Sequence, residues 1–208
     1  MQPSGISQSA SLALEQIAEI SLTDQFYLAG GTALAIHLKH RLSFDLDFFS
    51  NEKFDQKLLD KKLSKINGYK LGRIEEDTLL GIIGETKISF FTYHCKIIKP
   101  YIDYKKIHLL QIPDIAAMKL DAIGSRGIKR DFVDLYFISK NFTLDDCLNF
   151  YLKKYPQLKE NIFHIIKSLS YFIEAEDSEM PVMLEKINWK DIKVFFEKES
   201  VRLAKKYL

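Results

Sequence analysis

A chain of 208 residues can hold one domain with a substantial core, or a domain with a helical appendage. With 47% hydrophobic and 28% charged residues the composition is that of an ordinary globular protein, and a formal net charge of +2 makes no nucleic-acid-binding field unless basic residues cluster. Cys95 and Cys147 lack metal-ligand spacing and read as free thiols of a reducing compartment; no apolar run approaches a membrane span and no signal-peptide layout opens the chain, so a cytoplasmic protein is expected.

Apolar residues at helical spacing (Leu12, Leu14, Ile17, Ile20) predict a helix over residues 7–20. A short apolar strand, 26–29, stops at Gly30-Gly31 and is followed by a helix over 32–39. Residues 43–49 alternate as a strand, with Phe44, Leu46 and Phe48 directed to a core and Asp45 and Asp47 to the other face. Ser50-Asn51-Glu52 is the expected N-cap of a lysine-rich amphipathic helix that ends near Gly68. Its lysines are a solvated face or, alternatively, a track for an RNA backbone. Three strands, 69–75, 78–83 and 87–93, are separated by acidic and glycine-containing turns and predict an antiparallel meander. Beyond Pro113 the pattern turns helical, over 114–125, 129–140, 144–155, 158–174 and 191–207. The fold class expected is α+β: a small mixed β-sheet core flanked by helices, residues 1–108, followed by a mostly helical region, residues 109–208.

Two carboxylates on one strand face repel each other unless a positive charge lies between them, so Asp45 and Asp47 form either a solvated face or a divalent-metal site. Gly30-Gly31 lets the backbone come close to a ligand, and the helix that follows offers free N–H groups to a phosphate; its alternative is a plain tight turn. Together the turn and the Asp-x-Asp strand supply the two halves of a nucleotide–metal site, because hard Mg²⁺ bridges carboxylates and phosphate oxygens.

This combination resembles the DNA polymerase β-like nucleotidyltransferase superfamily. The wording "FYLAGGTALAIHLKHRLSFDLDFFS" is more narrowly similar to the AbiEii/AbiGii toxin family of type IV toxin–antitoxin and abortive-infection systems, over about 25 residues. A second block, "IPDIAAMKLDAIGSRGIKRDFVDLYFIS", residues 112–139, resembles the later motifs of that family. The resemblance implies that Gly30, Gly31 and Thr32 bind the triphosphate, with Arg41 and Ser43 as further nucleotide contacts, and that Asp45 and Asp47 hold Mg²⁺ (or Mn²⁺). Lys119 would contact the phosphates, and Arg130, Asp131 and Asp134 would support the site. Arg41 reads equally as a counter-charge for the aspartates. Asp131 and Asp134 could instead pair structurally with Arg126 or Arg130. His37 and His94 read as packing or surface residues.

One residue departs from the superfamily pattern. Where a third carboxylate is common, on the strand "TKISFFTYH", this chain carries Ser89, which can hydrogen-bond but brings no negative charge to a metal. The resemblance implies transfer of NMP from an NTP to an acceptor, with RNA (the tRNA 3′ end foremost) as the expected acceptor and a cognate antitoxin as a protein partner. The alternatives are nucleotidylation of a protein or small molecule, and a degenerate, non-catalytic nucleotide-binding module.

Overall fold

The computed structural model describes residues 5–20, 22 and 25–207. Their contacts divide the chain into two compact units: Met1–Cys95 with Pro100–Gln111, and Lys96–Lys99 with Ile112–Leu208.

The first unit is built on one mixed seven-stranded sheet. Helix α1, Gln8–Glu19, begins where the Ser7 side chain accepts a hydrogen bond from the backbone N–H of Ala10. Strand β1, Tyr27–Leu28, leads directly into helix α2, Gly30–Leu38; strand β2 is Leu46–Ser50 and helix α3 is Gln56–Leu63. Strands β3 (Tyr69–Glu75), β4 (Thr78–Ile83) and β5 (Thr86–Thr92) form the expected antiparallel meander. Strands β6 (Ile102–Tyr104) and β7 (Ile107–Leu109) complete the order β3-β4-β5-β2-β1-β7-β6, in which β2 lies parallel to β5 and β1 parallel to β7.

The pleat sorts the residues of the sheet. Leu46, Phe48, Leu79, Ile83, Ile88 and Phe90 are buried on one face, where the Phe48 and Phe90 rings stack 4.9 Å apart. Helix α1 packs near β5, and α3 against β3 and β4. Asp47, Phe49, Thr78, Leu80, Ile82, Ser89 and Phe91 fall on the opposite, half-buried face.

Three sequence expectations change in this unit. Strand β2 starts at Leu46, so Phe44 lies outside it and is 48% exposed rather than directed to the core. Ser43 is instead held in an isolated parallel bridge with Ile6, which takes the segment before β2 off the pleat. Asp55, not the 50–52 segment, caps α3 by accepting from the backbone N–H of Leu58, while the Ser50 hydroxyl closes a local turn with the backbone of Glu52. The hairpin of β6 and β7 was not anticipated. Its turn residues Lys105 and Lys106 both have positive φ (50° and 62°), a conformation usually signalled by Asn or Gly.

In the second unit, helix α4 (Ile112–Ser125) packs against α5 (Lys129–Ile138) and α6 (Leu144–Lys154). The single helix expected over 158–174 is three pieces: a 3-10 turn Pro156–Asn161, α7 (Ile162–Ser168) and α8 (Ile173–Glu176). The break follows from hydroxyls that compete with the helix ladder, since Ser168 donates back to the His164 carbonyl and Ser170 to the Lys167 carbonyl. Helix α9, Trp189–Tyr207, ends the chain, and its Phe196 packs edge-to-face on Phe132 of α5. No helix among the described residues is long and apolar enough to cross a membrane.

Candidate active site

The site begins at the junction of β1 and α2. Gly30 has φ +64°, the left-handed region that glycine enters without steric cost, and a Cβ there would meet the Asp47 carboxylate at 3.7 Å. The glycine turn and the second aspartate are therefore neighbours in space. Ala29 ties them together, as its N–H donates to the Asp47 carbonyl at 3.1 Å. Ala29 is the N-cap of α2 and makes no side-chain cap hydrogen bond.

Thr32, in the first turn of α2, is buried and holds the other side of the site. Its hydroxyl lies 2.8 Å from the Ser43 hydroxyl and donates to the Asp45 carbonyl at 2.5 Å. Ser43 in turn exchanges backbone hydrogen bonds with the 5–7 strip, its N–H donating to the Gly5 carbonyl and its carbonyl accepting from Ser7. Thr32 and Ser43 thus place the backbone of the Asp45 segment. Arg41 and His40 are fully buried, and an Arg41 guanidinium nitrogen donates to the Leu42 carbonyl at 3.2 Å. His37 lies in the last turn of α2 against the Leu110 carbonyl (2.9 Å), with burial holding its imidazole below the usual histidine range.

Asp47 is half-buried and pairs in register with Ser89 of the parallel neighbour β5. The Ser89 side chain is therefore one strand spacing from Asp47 on the same face, the place in which a third carboxylate would bring three negative charges together. Asp45 precedes the strand and is also half-buried. Among the described residues no group of three or more His, Cys, Asp or Glu side chains forms a metal cage. Two carboxylates alone would leave a Mg²⁺ ion to take its remaining ligands from phosphate oxygens and water.

The later motif residues come together in the second unit. The Lys119 ammonium, 4% exposed, lies 3.0 Å from Asp131 and 2.6 Å from Asp134, both fully buried. Arg126 closes on Asp131 with two guanidinium nitrogens, at 2.9 and 3.1 Å. Burial opposes ionisation of Asp131, yet Lys119 and Arg126 outweigh it and hold the carboxyl below the usual aspartate range. Of the two arginines considered for this pairing it is Arg126 that engages; Arg130 is exposed. A second buried pair, Lys154 with Asp114 at 2.8 Å, pins the 96–99 strip: Asp114 accepts from the N–H groups of Ile98 and Lys99, and Lys154 donates to the Lys96 carbonyl.

A glycine turn heads the helix beside an aspartate on the adjoining strand of a mixed sheet, and solved structures share the fold. JHP933 from Helicobacter pylori superposes with a TM-score of 0.62 at 17% identity, over 97% of this chain and 94% of that one. MenT4, a nucleotidyltransferase toxin from Mycobacterium tuberculosis, superposes with a TM-score of 0.59 at 15% identity, over 96% and 86%. The family model for the AbiEii toxin, a nucleotidyl transferase of type IV toxin–antitoxin systems, matches residues 12–109. An uncharacterized protein of Aquifex aeolicus is 34% identical over 207 residues, 94% of each chain. The chain belongs to the AbiEii nucleotidyltransferase toxin family.

Proposed function

We propose that this toxin transfers NMP from an NTP to an RNA acceptor in the cytoplasm, with the tRNA 3′ end as the foremost candidate, under the control of a cognate antitoxin. The observation that carries the reading is the placement of Asp47, next to the Gly30 turn on one side and in register with Ser89 on the other. Backbone N–H groups of the α2 N-terminus receive the triphosphate, and Thr32 with Ser43 fixes the segment that presents Asp45. Asp45 and Asp47 would hold a divalent cation, which supplies Lewis-acid polarisation of the phosphate and offsets charge on the departing pyrophosphate.

In the reaction an acceptor hydroxyl bonds to the α-phosphorus as the bond to pyrophosphate breaks, and the hydroxyl proton must leave. Ser89 can orient that hydroxyl by a hydrogen bond but cannot keep its proton. The proton passes to an aspartate carboxylate or to solvent. Lys119 is assigned to the phosphates by its motif alone; its observed partners are Asp131 and Asp134. Incubation of the protein with each α-labelled NTP, Mg²⁺, and total cellular RNA or protein tests the proposal. Label in the RNA pool is the expected result, and label confined to protein or small molecules overturns the choice of acceptor.

A further inference from the structure

The sheet register arranges the half-buried face in rows. One row runs Arg73, Leu80, Ser89, Asp47 across β3, β4, β5 and β2. The next, two residues further along the strands, runs Phe91, Phe49, Tyr27, His108 across β5, β2, β1 and β7. Two residues of strand span roughly 7 Å, and four strands roughly 15 Å. That step from the aspartate row is comparable with the reach from a ribose hydroxyl to its own base.

The second row is aromatic along its length. Phe49 lies 5.4 Å from Phe91, Tyr27 stacks with Phe49 at 6.1 Å, Tyr101 with Tyr27 at 4.9 Å, and His108 with Tyr101 at 5.5 Å, the last three pairs within 25° of parallel. Beside it is a cavity of about 440 Å³ lined by Tyr27, Tyr101 and His108 and by the polar groups of Gln25, Asn51 and Glu52. Tyr101 and His108 are half-buried, and an Asp103 carboxylate 3.0 Å from Nδ1 holds the His108 ring. Aromatic faces with carboxamides at their edge suit a planar, hydrogen-bonding heterocycle. The carboxylates of Glu52 and Asp103 would repel a phosphate backbone but can accept from exocyclic amines. Cations on the same face, Lys70 and Lys87, share the row on the far side of Asp47, where a backbone could run.

We propose that the pocket at Tyr101, Tyr27 and His108 takes a nucleobase from the single-stranded end of the acceptor nucleic acid. The inference rests on the RNA-acceptor reading and adds to it a residue-level subsite. The acceptor is favoured over the incoming nucleotide because the triphosphate turn lies beyond the carboxyl end of β1, whereas the pocket lies at the amino end of that strand and joins the aromatic row at Tyr27 and His108.

The test is fluorescence anisotropy of a labelled single-stranded oligoribonucleotide with a free 3′ hydroxyl, titrated with the full-length protein without NTP, alongside calorimetry of NTP binding. Tyr101→Leu keeps apolar bulk but removes the ring, and should weaken oligonucleotide binding roughly ten- to a hundred-fold with NTP affinity unchanged; Tyr101→Trp should restore it. His108→Ala at the end of the stack should act in the same direction, which keeps the test decisive should Tyr101→Leu fold poorly. Unaltered RNA binding in Tyr101→Leu and His108→Ala overturns the proposal, as does absence of RNA binding by the wild-type protein. Loss of NTP affinity in place of RNA affinity also overturns it, by giving the pocket to the incoming base. Label transfer scores the underlying reading separately. Wild-type protein that labels only protein ends the RNA-acceptor reading, whereas RNA labelling that survives Tyr101→Leu undiminished ends only the subsite.

Discussion

Asp47 lies half-buried beside Ser89, whereas Asp131 and Asp134 are fully buried against the Lys119 ammonium, so replacing these carboxylates has opposite consequences. If Asp45 and Asp47 hold the proposed cation, Asp47→Asn and Asp45→Asn remove its ligands and relieve repulsion. Transfer should fall by roughly a hundred-fold or more, with thermal unfolding unchanged or slightly raised, as paired activity and melting measurements would show. Lys119→Met leaves two buried carboxylates short of a cation and should cost about 3–5 kcal/mol in denaturant unfolding. A stability-neutral Lys119→Met would contradict the geometry, and a raised KM for NTP in refolded protein would support its motif-assigned role. Asp131 also sets a pH limb. Its carboxyl is held below the ordinary value of 3.8, so its contribution is fully present above that value and is lost as pH falls through the lower folded one. Asp131→Asn should flatten acid unfolding below about pH 4. That Gly30, Thr32, Ser43, Asp45 and Asp47 lie near one another was legible because they fall within one short stretch of chain. The Arg126 pairing was not, because charge alone does not choose between Arg126 and Arg130.

At the level of elements, α2 and the segment before β2 are held by a strip that carries no chemistry itself. Gly5 has φ +78°, and a Cβ on it would lie 1.9 Å from the Ala35 carbonyl oxygen, inside the backbone of α2. Gly5→Ala must push α2 away from Ser43, the residue that Thr32 holds, and should lower the melting temperature by roughly 4–10 °C while cutting transfer. Gly30→Ala should behave differently. The added methyl group has ordinary contact distance to Asp47, so backbone strain of about 1–2 kcal/mol is its main structural cost, and NTP affinity measured by calorimetry should suffer more than folding. The meander was readable because Asp77 and Gly84 mark its turns with positive φ (60° and 58°), residue types that signal reversal. The β6–β7 hairpin was hidden by lysines in the equivalent conformation, and the break after α7 by serines whose hydroxyls act only once folded.

Across the whole molecule, legibility tracked sequence distance. The stretch from Gly30 to Asp47 is contiguous and matched a family pattern, but the aromatic row draws on β1, β2, β5, β7 and Tyr101, and only strand order brings it together. The buried Asp114–Lys154 pair is likewise invisible before folding, since 40 residues separate its partners. Its strip of residues, Lys96–Lys99, has a further consequence. The chain passes between the two units three times, after Cys95, after Lys99 and after Gln111. A gene cut at any one of those points cannot yield two whole parts. Severing after Gln111 leaves the helical fragment with Asp114 and Lys154 but without the backbone groups they serve, and severing after Cys95 strips the sheet fragment of β6 and β7. Recombination would therefore pass this toxin on as a single cassette, and exchange of the helical half for another would have to carry four residues from the middle of its neighbour.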